Sequence, residues 1–97
     1  MDTLMVIVDR LTHPTRGLVV SGVNPVLDAI GDDEIRGRIG GEVTIKHRDG
    51  RETVAKVEAV DIARSILGKA NIHIALGWGV TKEEVELGAE VLCKHNP

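Results

Sequence analysis

Four histidines, one cysteine and a short acidic run are the side chains of this chain suited to metal binding or nucleophilic catalysis. His13, His47, His73 and His95 stand far apart, and no two share the i, i+4 spacing of a helical metal pair. Spacing therefore argues against a metal centre, and His73 reads as a surface or partly buried histidine. Cys93 and His95 offer a thiol beside an imidazole. With no third member and no oxyanion loop in view, they read as a packing thiol and a tail residue. Asp32-Asp33-Glu34 has the charge to take a cation or a basic partner, and reads as a solvated loop. Lys46, His47, Arg48 and Arg51 gather at one turn and make the best case for a phosphate contact. Gly40-Gly41 and Gly77-Trp78-Gly79 do not follow a strand-to-helix phosphate-loop pattern, so they read as turns. The expectation is a protein that is not an enzyme and needs no cofactor.

The elements that must position these groups are short. The chain has 97 residues, enough for one core that buries somewhat more than ~60% of the unfolded surface, so residues 1–97 read as one domain. It has no Phe, no Tyr and one Trp, which leaves the core to aliphatic residues and makes base stacking on aromatic platforms improbable. A net charge of −3 gives no overall positive field for nucleic acid. A lone cysteine, the absence of a basic signal-type start and no apolar run near ~18 residues point to a soluble protein of the cytoplasm, off the membrane.

β-branched segments alternate with Gly, Pro and Asp-Gly punctuation, the pattern of an all-β domain. Leu4 to Asp9 reads as a first strand, apolar on both faces, hence buried on both sides or touching something outside the chain. A break at His13-Pro14-Thr15-Arg16-Gly17 follows, then a strand over Leu18-Val19-Val20-Ser21 ending at Gly22. Val26 to Ile30 reads as a helical turn or a loose strand, and Ile35 to Ile39 as a brief strand. Glu42 to His47 and Glu52 to Val60 form a hairpin around Arg48-Asp49-Gly50-Arg51, with a bulge expected near Ala55. Asp61 to Gly68 reads as an irregular excursion or a short helical turn, with Ile62, Ile66 and Leu67 facing the core and Arg64 and Lys69 wet. Asn71 to Leu76 alternates. From Gly79 the chain makes a tight helical turn in which Thr81 is placed to cap through its hydroxyl while Glu84 reaches back. Val43, Ile45, Val57, Ile72, Ile74, Leu76 and Val91 are the expected core.

The order of these motifs resembles the second, β-barrel domain of elongation factor Tu and related translation GTPases. The residues that carry the resemblance are Gly17, Val19, Val20 and Gly22; Gly41, Glu42, Val43 and Ile45; and Gly79, Val80, Glu84, Val85, Gly88, Val91 and Leu92. It covers roughly Val6 to Leu92 and implies a small closed β-barrel of six or seven strands with one short helical turn. The family carries a nucleotide-binding domain ahead of this barrel. Here no Gly-x-x-x-x-Gly-Lys-[Ser/Thr] occurs, so neither GTP binding nor hydrolysis is expected. Where the family's barrel helps hold aminoacylated tRNA through Glu-Asp-x-Phe, this chain keeps Asp9 but has Val8 and Leu11 in the outer positions. Trp78 stands where the family places Arg, which implies that a polar contact has been exchanged for an apolar one.

What the resemblance implies is a docking barrel. The leading expectation is a non-catalytic protein-binding module, an accessory or immunity-type factor that uses Trp78 and Asp9. The alternative is a small RNA- or ribosome-associated factor that holds its partner with Lys46, Arg48 and Arg51. A homo-oligomer formed through the apolar first strand or an open sheet edge is a third.

Overall fold

The computed structural model describes residues 2–93. It contains seven strands: β1 (Asp2–His13), β2 (Gly17–Val23), β3 (Glu42–Lys46), β4 (Glu52–Lys56), β5 (Ala59–Arg64), β6 (Ala70–Gly77) and β7 (Glu90–Cys93). One α-helix, α1 (Asp32–Ile39), and two 3-10 turns, Pro25–Ala29 and Lys82–Glu84, complete it. No helix among the described residues is long and apolar enough to cross a membrane.

All seven strands join one antiparallel sheet in the order β4-β3-β7-β1-β2-β6-β5. The fold is all-β, as the punctuation implies, but the expected closed barrel is corrected: β4 and β5 remain the two edges of the sheet. The reason lies at a corner. Val57 N–H donates to Gly41 O at 2.9 Å, still on the β3 side, and the next N–H, Glu58, donates to Ala75 O on β6 at 2.8 Å. The chain thus passes from one end of the sheet to the other within two residues. The bulge expected near Ala55 is absent, since β3 and β4 keep an unbroken register from Glu42↔Lys56 to Lys46↔Glu52.

β1 owes its two apolar faces to two irregularities. Against β7 the register jumps from Thr3↔Leu92 to Met5↔Val91, and against β2 from Ile7↔Gly22 to Asp9↔Ser21. Leu4 and Val8 are therefore extra residues, and each shifts the alternation by one. Leu4, Met5 and Ile7 go inward; Val6, Val8 and Leu11 go outward and stay exposed. Gly22 lets β1 and β2 come this close, because a Cβ there would lie 2.8 Å from Met5 Sδ and 2.4 Å from Val6 O.

The aliphatic core follows the expected faces at Val43, Ile45, Ile72, Ile74, Leu76 and Val91, whereas Val57, at the corner, is only partly buried. The brief strand expected over Ile35 to Ile39 is instead the second half of α1. Asp32, Asp33 and Glu34 fill its first turn and Arg36 and Arg38 its last, matching the helix dipole, and Gly40 (φ 68°) ends it. Eight residues make a marginal helix in water. Tertiary burial of Ile35 and Ile39, one turn apart, holds it.

Arg64 is exposed, as expected, and its guanidinium fastens this helix. Its guanidinium donates to Asp32 Oδ1 (3.1 and 2.9 Å) and to the carbonyls of Asp28 (2.9 Å), Ile30 (2.6 Å) and Gly68 (3.1 Å). Asp28 Oδ1 also accepts from Ala70 N–H at 2.9 Å. The turn Ser65 to Lys69 is therefore an ordered hairpin end, and Ile66 and Leu67, expected in the core, point into solvent because β5 continues regularly to Arg64.

Ile74→Ala should lower stability by about 2–5 kcal/mol in chemical denaturation, since Ile74 is wholly buried. Arg64→Ala should cost about 1–3 kcal/mol. Arg64→Lys should not restore it, because one ammonium cannot reproduce the planar fork; full rescue by lysine would show that charge alone matters.

Candidate functional site

The outward face of β1, β2, β6 and β5 carries the most distinctive grouping. Asp9, Ser21, His73 and Asp61 are successive register partners on those four strands, so four polar residues form one row across the sheet. Ser21 Oγ and His73 Nδ1 are 2.7 Å apart. Arg16, from the β1–β2 turn, ion-pairs with Asp61 and occupies the carboxylate opposite His73. A serine beside a histidine is two thirds of a hydrolytic triad. Here the acid is engaged by an arginine and the row runs along an open sheet face, without the enclosed pocket in which such groups act. The arrangement orders side chains on a surface; as catalytic machinery it lacks an orienting acid.

Apolar residues flank the row. Val6 and Val23 face each other on one side of it, Leu11 and Val19 on the other, and Val8, the bulge residue, is 60% exposed. The flank continues to Trp78. β6 ends at Gly77, whose φ of +71° turns the chain outward, and Trp78 is left 65% exposed. It borders a cleft of about 370 Å³ with Thr15, Arg16, Glu58, Ala59, Ala75 and Gly77. At this exposure Trp78 is not a lid over the core but part of the surface. Arg16 lines the cleft and pairs with Asp61, so the cleft and the polar row are continuous, and the structure brings Asp9 and Trp78 to one face.

The basic turn lies apart from that cleft and is electrically balanced. Arg51 Nε is 2.6 Å from Asp49 Oδ2, and Asp49 Oδ1 accepts the Arg51 N–H at 2.9 Å. That backbone bond first, and the guanidinium second, hold the Asp49 carboxyl below its ordinary range. Lys46 is the register partner of Glu52 on one side and Glu90 on the other. Arg48 N–H donates to Glu86 Oε1 at 2.7 Å. His47 is only 6% exposed, with Nε2 2.9 Å from Thr53 Oγ1. Asp49, Glu52, Glu86 and Glu90 thus surround Lys46, Arg48 and Arg51, and Glu86 and Glu90 arrive from far along the chain.

The connection between Trp78 and β7 is tied down in an unexpected way. Thr81 does not cap the Lys82–Glu84 turn through its hydroxyl. Instead Arg10 of β1 donates from Nη1 to Lys82 O at 3.0 Å and to Val85 O. Arg10 and the Ser21–His73 pair escaped sequence reasoning because their partners lie on distant strands; the strand alternation that puts Ser21 and His73 outward was the available signal. Among the described residues no three His, Cys, Asp or Glu gather as a metal site, and His95 lies outside them. Cys93 is buried, which together with Asp2 pushes its thiol above the ordinary range.

Trp78→Ala should leave the unfolding free energy within about 0.5 kcal/mol of the wild type, as for an exposed side chain; a large loss would restore the lid. Since the raised pKa favours the neutral thiol, Cys93 should react slowly with a thiol reagent in the native protein at neutral pH and rapidly once denatured. No family model, curated protein or solved structure matches this chain.

Proposed function

We infer that the chain is a non-catalytic, protein-binding module of the cytoplasm, an accessory or immunity-type factor that docks its partner on the outward face of β1, β2, β6 and β5. The observation that carries this reading is Trp78, exposed beside a cleft whose Ala75 is the register partner of Val19, which in turn faces the exposed Leu11. Tryptophan is enriched among the residues that dominate interface energy, and contiguous exposed apolar surface is where partners bind. Kinship with the second domain of elongation factor Tu is part of the proposal and rests on the sequence motifs. Those motifs fall on β2, on β3 and the glycine before it, on the segment around the Lys82–Glu84 turn, and on β7. RNA is the weaker reading, because the acids around Lys46, Arg48 and Arg51 cancel the field that phosphate binding needs.

Affinity capture from the native host, with protein and RNA in the eluate both identified, tests this directly. A protein should be retained through high salt and lost with Trp78→Ala, whose cost of ~2 kcal/mol or more is a fall of at least about thirtyfold in affinity. Recovery of RNA that falls steeply with salt, and is lost when Lys46, Arg48 and Arg51 are replaced by Ala, would reverse the ranking. Calorimetry with GTP and magnesium should register no binding.

A further inference from the structure

The end of the β5–β6 hairpin, on neither the cleft nor the basic turn, carries an apolar pair that the fold does not need. Ser65 and Gly68 supply what the turn requires: Gly68 takes φ +80° and donates to Ser65 O at 2.9 Å, Ser65 N–H donates to Lys69 O at 3.0 Å, and Lys69 N–H donates to Ser65 Oγ at 3.1 Å. Arg64 holds Gly68 O from behind. The two positions between, Ile66 and Leu67, are 104% and 83% exposed. Turn chemistry favours Gly, Asn, Asp, Pro or Ser there, and two large aliphatic side chains at a tip invite association. The backbone of the tip is already tied by these hydrogen bonds, which lowers the ordering cost of a contact.

Directly beside this knob is a socket. A cavity of about 250 Å³ is lined by Val23, Pro25, Asp28, Ser65, Lys69 and Asn71, so the shoulders of the hairpin itself form one wall. Val26, next to Pro25, is exposed as well. Knob and socket on one surface are what a two-fold interface requires, because each copy then presents to the other what it receives. The rim charges obey the same symmetry. It carries one base, Lys69, and one acid, Asp28, which spends one carboxylate oxygen on Ala70 N–H and keeps the other. A two-fold axis set between tip and cavity would pair each Lys69 with the other copy's Asp28, opposite charges rather than like. A specific interface of ~1,000 Å² in total asks ~500 Å² of each copy, less than a tenth of the 5731 Å² exposed by one chain.

We propose that two copies of this chain associate through this patch, the Ile66-Leu67 tip of each seated in the Val23, Pro25 and Asn71 cavity of the other. The interface is separate from the Trp78 cleft, so dimerisation and partner docking can succeed or fail independently.

Light scattering and sedimentation equilibrium on the full chain provide the test. The wild type should have twice the chain mass, and Ile66→Asp and Leu67→Asp should each weaken association at least tenfold without lowering the unfolding midpoint. Val54→Asp, on the outer edge strand β4, should remain dimeric. In a mixture of isotopically labelled and unlabelled chains, filtered NOEs should connect the methyls of Ile66 and Leu67 to those of Val23 and Val26 of the other copy. A monomer at about 1 mM overturns the proposal. So does a dimer that survives both aspartates, or one that Val54→Asp abolishes, since strand-edge pairing would then be the mode. A monomer that sediments with phosphatidylcholine–phosphatidylglycerol vesicles through Ile66 and Leu67 overturns it too, in favour of a lipid surface.

Discussion

The guanidinium of Arg64 reaches the Pro25–Ala29 turn, the start of α1 and the β5–β6 turn at once, and the enclosure of the core depends on that meeting. The sheet curls but its edges, β4 and β5, do not pair, so strands alone leave the aliphatic interior open. α1 covers it. Its Ile35 and Ile39 enter the core, Arg36 reaches Val60 O on β5 at 3.5 Å, and Arg38 borders a cavity with Leu4 and Cys93 on β1 and β7. The helix has no side-chain cap at Gly31 and is too short to persist alone. Carbonyls freed where the chain enters it need donors, and one planar five-donor side chain supplies them.

The exposed apolar face arises from the same economy of length. A sheet of this size has two faces, and with one filled by Val, Ile and Leu the other meets water. On most strands the outward positions are polar, but the bulges in β1 displace two residues out of the alternation and turn Val6, Val8 and Leu11 outward. Irregular pairing, which weakens a ladder locally, here produces an apolar surface that the core does not consume. Trp78 and the Ile66-Leu67 tip extend that exposure at two further places.

The turn with the greatest basic density is laced to acids by its own backbone and by strand register, and the outward polar row is closed by the Arg16–Asp61 pair. Exposed pairs of this kind add little stability, and they place a carboxylate beside the guanidinium they engage.

Residue order by itself determined the strand character of most of the chain, the Asp-Gly hairpin, the inward faces of β3 and β6, and the solvent-side position of His73. Each follows from alternation or turn chemistry within a few residues. It carried the signs of α1 as well, an acidic start, an Ile-x-x-x-Ile step and a glycine stop, although β-branched neighbours made that stretch read as a strand. Only the tertiary structure decided the corner at Val57-Glu58, the exposure of Ile66 and Leu67, the polar row and the neutralised basic turn. Those depend on which distant strands pair and in what register. Arg64 meets Asp32 across thirty-two positions, and Arg48 meets Glu86 across thirty-eight. Periodicity tells which way a side chain points; the partner it finds there is set by the closure of long loops around a shared core.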